Sequence, residues 1–366
     1  MVAVSLGGEH FLNNWHDIDV YLERGAWWPT GGTPYEDVFS EYPELATWFL
    51  ALPYVLLRAF SLVTGLPVET ATGYTYVFTV LMGVLLAATT TLIHAMRTDR
   101  RWLAYLLLLP STWYFAHNRY DILPAFLVVL SLYLLQRGRA LPVGLLLGAA
   151  TMTKWYPVVI LPVVLVYLWQ RDRTAARAAL GGFLGVVVLV AAVTLLSAGV
   201  SGFLVPYEFH AGRWGNSQSL LILFDGWGVL DAFHGPARAV FRVLQFLPAI
   251  VVLFLRVTTW RAVVAWSLLS VLAFMLGNSV YSPQWLLWVA PLLLLIATSR
   301  LDVLLVLTFN CSTILMFPVA FHRTGSDGGW FVAAVACNLA VVLIWLVRSA
   351  WLVRDEQVSR PVGSQP

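Results

Sequence analysis

Charge is scarce in this 366-residue chain: 11% of its residues are charged and 60% are hydrophobic, with a mean hydropathy of +0.78. So thin a supply cannot coat a soluble domain of this size. Lysine is almost missing. Lys154 is the one lysine among twenty-two basic residues, so every other fixed cation is an arginine. Cysteine is as sparse. Cys311 and Cys337 both lie in apolar segments, with no metal-ligand spacing and no paired loop position, and read as packing residues. Apolar stretches that alternate with polar residues are lacking too, which excludes a membrane β-barrel. A net charge of +3 is no nucleic-acid signature, and no signal peptide is visible.

What the chain has instead is apolar runs of membrane-crossing length. Candidate segments fall near 45–65, 74–96, 102–116, 122–136, 140–153, 155–170, 175–199, 244–256, 260–277, 284–299, 301–320 and 329–351. The fold expected is an all-α polytopic membrane protein, a helical bundle of about 11–12 hydrophobic segments. Several runs are shorter than the ~20 residues of a perpendicular crossing and must borrow from their flanks or enter broken. Fourteen basic residues cluster in alternate loops: 97–101, 137–139, 171–177, 256–261, 300 and 348–360. By the positive-inside rule those loops are cytoplasmic and the intervening ones face out. For 74–96 to run inward to Arg97, the segment 45–65 must leave and return on the outer side, as a re-entrant or interfacial helix broken at Pro53. The alternative makes the 97–101 cluster an exception to the charge rule.

The longest polar stretch, residues 15–45, holds Asp17, Asp19, Glu23, Glu36, Asp37, Glu41 and Glu44, with Glu9 just upstream, against Arg24 alone. Asp17, Asp19 and Glu23 suggest a short acidic helix whose Val20, Tyr21 and Trp27 lie on an apolar surface. Gly31, Gly32, Pro34 and Pro43 then impose an irregular loop. No hydrophobic helix precedes this stretch, so either downstream helices set its side or a first helix lies ahead of the recorded start. The later outer loops bring Asn118, Arg119 and Asp121; Lys154 between two apolar helices; His210 and Arg213 one helical turn apart, near Tyr207; and Asn278, Tyr281, Ser282 and Gln284. A charge near membrane depth is costly without a partner and is a functional hypothesis by default. Carboxylates gathered on one stretch and cations on others suit a group transfer in which an acid takes a proton and cations hold a phosphate leaving group.

The order D-I-D-V-Y (17–21), G-T-P-Y (32–35) and E-Y-P-E-L (41–45) resembles the first outer loop of the GT-C membrane glycosyltransferases. The resemblance continues through N-R-Y-D (118–121), R-G-R (137–139), G-L-L-L-G-A-A-T-M-T-K-W-Y-P (144–157), H-A-G-R with N-S-Q-S (210–219), and S-P-Q-W-L-L-W (282–288). It is most similar to glycosyltransferase family 87, polyprenyl-phosphomannose-dependent enzymes, and to the catalytic subunit of GPI mannosyltransferase I. What the resemblance implies is inverting transfer of a sugar, mannose foremost, from a polyprenyl-phosphate donor to a lipid or glycan hydroxyl on the outer face of the plasma membrane. Asp17 matches the general base and Asp19 the second acid of a D-x-D form. Lys154, His210, Arg213 and Arg119 would meet the donor phosphate. Tyr21, Tyr35, Tyr42, Asn118, Asp121, Tyr207 and Gln284 would contact substrate. E-Y-P-E departs from the family's commoner Y-P-P.

Plainer readings stand beside this one. Asp17 and Asp19 suit solvated acids on a loop helix, Lys154 an interfacial anchor, and His210 with Arg213 a lipid-headgroup contact. His322 and Arg323 read as solvated, and Asp225 and Asp231 have no role. A transporter with a polar outer vestibule is the alternative function, although no internal repeat is evident and Arg58 is the clearest charge inside a span. A non-catalytic subunit of a glycosylation complex is a third. Mg²⁺ or Mn²⁺ at Asp17 and Asp19 is chemically feasible, but a monophosphate leaving group needs only Arg and Lys, so no metal and no other cofactor is expected. The expected partners are the donor, the acceptor and membrane lipids, with no nucleic acid. One integral domain over 1–352 is expected, with outer loops at 1–44 and 200–243 and a cytoplasmic tail at 353–366.

Overall fold

A computed structural model describes residues 16–213, 215–220, 234–326 and 328–358; Glu9, Asp225 and Asp231 lie outside them. The described chain is helical, with no strand beyond an isolated bridge between Pro34 and Val38. Its longer helices are α1 His16–Gly25, α2 Glu44–Thr64, α3 Ala71–Met96, α4 Pro110–Asn118, α5 Ile122–Gln136, α6 Ala140–Thr153, α7 Leu161–Trp169, α8 Arg173–Gly212, α9 His234–Val251, α10 Trp260–Leu276, α11 Leu286–Ile296, α12 Arg300–Ile314 and α13 Gly329–Val358. Among the described residues, five segments are long and apolar enough to cross a membrane: α2, α3, α8, Arg300–Thr324 and Gly329–Glu356. The bent pair α4 and α5 makes a sixth, and α6 and α10 are among the shorter apolar helices. The polytopic all-α expectation holds.

The basic loops gather at one end of this bundle. Arg97 donates to the carbonyls of Leu294, Leu295 and Ala297, closing the C-terminus of α11. Arg171 reaches the Thr258 carbonyl, Arg261 pairs with Glu356, and Arg348 pairs with Asp302. Loops remote in sequence are thus tied together there, as the charge pattern anticipated. The last helix runs further than expected: residues 353–358 continue α13, with Val353 buried and Glu356 holding Arg261.

Helix α2 corrects one expectation. Pro53 sits inside an unbroken helix of 21 residues and breaks nothing. Its neighbours nonetheless keep it at the end opposite the basic loops. Leu50 accepts from Tyr74 near the start of α3, Tyr54 donates to the Leu22 carbonyl of α1, and Leu57 lies against Gly73. Arg58 pairs with Glu69 in the α2–α3 loop, so this charge is not stranded in a span. Four residues beyond Gly73 and Tyr74, the ring of Phe78 meets Tyr21 of α1. Helix α3 then runs 18 residues to Met96, about 27 Å at 1.5 Å per residue.

The closest helix contact joins α6 and α8 through small residues. A Cβ on Gly144 would collide with the Ala179 carbonyl, one on Gly148 would crowd the Phe183 carbonyl, and one on Gly182 would crowd the Leu141 carbonyl. In lipid, where apolar side chains gain little by leaving one another, such close backbone approach is a main source of helix association. The consequence is functional. Lys154 follows the C-terminus of α6, and His210 and Arg213 end α8, so the glycine seam sets where these cations stand relative to each other. Helix α8 is interrupted at Gly199, whose φ of 68° places it in the left-handed region open to glycine. The expected span 175–199 ends at that break.

Two other expected runs are interrupted. Residues 102–116 divide into a 3-10 segment, Arg101–Leu108, and α4, which Pro110 begins; a proline has no N–H to lose at that position. Residues 301–320 lose helical geometry at Phe317 (φ −141°, ψ 124°), and its ring joins a cavity wall.

Candidate active site

At the end away from the basic loops, the helix termini enclose a cavity of about 760 Å³. Its walls come from α1, the loop before α2, the α4–α5 break, the end of α6, the end of α8, α9, and the 277–288 segment. A fold that must satisfy nearly every backbone group in lipid concentrates its irregular backbone where it lines a cavity. The 110° bend between α4 and α5 is one such place. It sets Asn118, Arg119, Tyr120 and Asp121 between two helices, with Arg119 and Tyr120 on the cavity wall.

Arg119 and Asp121 organise two linked clamps. Arg119, 4% exposed, pairs through Nη2 with Asp17. Its Nε donates to Gln284 Oε1 (2.9 Å) and its Nη1 to the Asn118 carbonyl (3.0 Å). Gln284 in turn donates Nε2–H to Asp121 (3.2 Å). Asp121, 0% exposed, also accepts from Trp288 Nε1 (2.8 Å) and pairs with Lys154 Nζ (3.1 Å). Lys154 lies over the Tyr120 ring at 4.6 Å. The chain Asp17–Arg119–Gln284–Asp121–Lys154 is therefore continuous, and each buried charge in it has an opposite charge.

Aromatic rings fill the space between. Tyr21, Tyr42 and Tyr120 meet edge to face, with centroids 5.2–5.8 Å apart. Tyr156 stacks on Trp288 at 4.3 Å and Trp288 on Trp285 at 4.5 Å. Burial, reinforced by nearby acids and phenols, pushes the Tyr21 and Tyr42 phenols well above their usual value, so they remain protonated.

The expected site residues separate into three groups. Asp17, Tyr42, Arg119, Lys154, His210, Arg213 and Gln284 line the cavity. Asn118, Asp121 and Tyr21 stand behind the lining and hold it. Asp19, Tyr35 and Tyr207 do other things. Asp19 is exposed, because residues two apart on a helix point to opposite sides; the D-x-D pair does not converge. Tyr35, buried with φ of 72°, donates to the Tyr42 carbonyl (2.7 Å) and fastens the acidic loop. Tyr207 stacks on the outer side of Trp155 (5.1 Å). His210 donates Nε2–H to the Glu41 carbonyl (3.0 Å), while Glu41 pairs with Arg24. His210 therefore pins the acidic loop to α8 rather than standing free for a phosphate. Among the described residues no three His, Cys, Asp or Glu side chains gather as a metal site requires.

Several lining residues went unnoticed in the sequence: Glu41 as a wall, Trp155, Tyr156, Asn216, Arg242, Gln245 and Trp288. A signal for Arg242 exists. Eight basic residues lie outside the positive loops, and four of them, Arg119, Lys154, Arg213 and Arg242, line this cavity.

A polar cavity at one end of an apolar bundle suits an enzyme working on a membrane substrate. The model of glycosyltransferase family 87 matches residues 49–223. With the membrane-length helices, the match is consistent with a membrane glycosyltransferase of that family. The match spans Arg119, Asp121, Lys154, His210 and Arg213, while Asp17 and the 277–288 wall lie outside it. No curated protein matches the chain. The match favours glycosyl transfer over the transporter alternative. A glycosyltransferase must bring a sugar donor and an acceptor together; the lining of this cavity includes an acid, cations and aromatic faces.

Proposed function

We propose that this glycosyltransferase moves a sugar, mannose by resemblance, from a polyprenyl-phosphate donor to a hydroxyl of a lipid or glycan acceptor, inverting the anomeric centre. The observation that carries the reading is the opposition within one cavity of Asp17 to arginines on other walls, with aromatic surface between. Asp17 takes the proton of the acceptor hydroxyl as its oxygen attacks the anomeric carbon. The bond from that carbon to the phosphate oxygen breaks on the opposite face, and the polyprenyl phosphate leaves with its charge held by cations. Arg119 fixes the orientation of Asp17 through their ion pair, as Gln284 fixes Arg119. The acidic pair of α1 does not supply a two-carboxylate metal site, and the chemistry is assigned to protein groups alone. Basic loops at the opposite end support an outward-facing cavity by the positive-inside rule, and a plasma-membrane location belongs to the same proposal.

The test is stereochemical. Purified protein in lipid nanodiscs is supplied with an isotopically labelled β-linked polyprenyl-phosphomannose and a membrane-lipid extract, and the anomeric configuration of the product is read by NMR. An α-linked product is expected. A β-linked product would require a covalent or front-side route and would remove Asp17 as the base of a single displacement.

A further inference from the structure

The charges lining the cavity are not equivalent. Arg119 is committed to Asp17, Lys154 to Asp121, and Glu41 to Arg24. These three pairs are internally neutral. That leaves Arg213, beyond the end of α8, and Arg242, on α9; neither has an ion-pair partner among the described residues, and both are exposed side chains of the lining. The Arg213 guanidinium lies over an aromatic face, 5.9 Å from the Phe209 ring.

We infer that Arg213 and Arg242 together form the phosphate-binding edge of the cavity, and that Lys154 and Arg119, although cationic, serve as internally balanced positioning groups. This inference rests on the glycosyl-transfer reading for its ligand class, a phosphate diester with an apolar tail. Two arguments support it beyond the charge balance. An anion placed against Lys154 or Arg119 must compete with a carboxylate already in contact, whereas at Arg213 and Arg242 it displaces only water. Phe209, Phe241 and Phe246 line the same cavity, Phe209 against Arg213 and the other two beside Arg242 on α9, so a phosphate bearing a hydrocarbon tail finds apolar surface next to each cation. The acid on α1 lies on a separate wall. Arg242 thereby becomes a donor-binding residue, set on a helix beyond the matched family region.

The experiment uses sugar-free decaprenyl phosphate as probe and measures its binding to full-length protein in phosphatidylcholine nanodiscs. Wild type, Arg242→Gln, Arg242→Lys and Arg213→Gln are compared, with thermal melting to establish folding. Arg242→Gln is expected to weaken binding by about tenfold, the scale of one lost charge-assisted hydrogen bond. Arg242→Lys keeps the charge and loses less. Folded Arg242→Gln that binds the probe as tightly as wild type overturns the assignment. So does binding whose dependence on Arg242 vanishes when the discs are enriched in phosphatidylglycerol, because the arginines would then hold ordinary headgroups. The two proposals fail separately. Sugar transfer that persists unchanged in Arg242→Gln removes Arg242 and leaves the function standing. Arg242-dependent probe binding by a wild type that transfers no sugar keeps the phosphate edge and defeats the function.

Discussion

Replacing Asp17 with asparagine is expected to lower sugar transfer by at least ~100-fold, the lower range for loss of a general base, while leaving the protein folded. The substitution keeps shape and keeps an oxygen to accept from Arg119. What it removes is the carboxylate proposed to take the acceptor proton. Arg119, whose side chain is only 5% exposed, loses its counter-charge and some stability with it, but it keeps Gln284 Oε1 and the Asn118 carbonyl as acceptors. Donor binding should persist, since the arginines assigned to the phosphate lie elsewhere in the cavity. The measurement is initial-rate transfer in nanodiscs for wild type and Asp17→Asn, with melting temperature and decaprenyl phosphate binding alongside. A variant that folds, binds the probe and transfers at the wild-type rate would move the base to another group.

Asp121→Asn should fail in the opposite manner, through structure. Asp121 is wholly buried and accepts from Gln284, Trp288 and Lys154. An amide in its place leaves the Lys154 ammonium without a counter-charge. It also aims an NH₂ at one of three donors. If Gln284 turns to accept from it, the Arg119–Gln284 hydrogen bond is lost and the orientation of Asp17 loosens. Breaking a buried ion pair from one side costs about 3–5 kcal/mol, here toward the lower figure because Lys154 keeps 18% side-chain exposure. The expected result is a marked drop in thermal stability together with lost transfer. Adding Lys154→Met to Asp121→Asn removes the stranded charge and should restore part of the stability without restoring activity. A double variant no more stable than Asp121→Asn would show that the pair is not coupled as described.

The bundle and its polarity were legible in the sequence because they rest on averages: apolar runs, and arginines in alternate loops. Single residues with no bland role were legible too. Lys154 stood out as the one lysine, and it lies in the cavity wall. What sequence could not supply was direction. Asp17 and Asp19 look alike in D-I-D, yet the helix turns one inward and the other to solvent. Asp121 appears as one more polar residue of N-R-Y-D until the 110° bend buries it behind Lys154. Tyr35 reads as a ligand in G-T-P-Y, but its positive φ and its hydrogen bond to Tyr42 make it a fastener. Pro53 reads as a breaker, although proline inside a helix is tolerated where neighbours satisfy the freed carbonyl. Arg242 was missed because its cavity partners are distant in sequence, and only the fold shows which arginines already have carboxylates.

The central claim is that this cavity takes its sugar from a polyprenyl monophosphate, with protein cations alone holding the leaving group. Its most direct test is a donor comparison in one preparation: purified protein in nanodiscs with excess EDTA, given labelled polyprenyl-phosphomannose or labelled GDP-mannose with the same lipid acceptors. The account predicts labelled product from the polyprenyl donor alone, at a rate unchanged when Mg²⁺ or Mn²⁺ is restored. Transfer from the nucleotide sugar, or transfer that appears only with added metal, would contradict it.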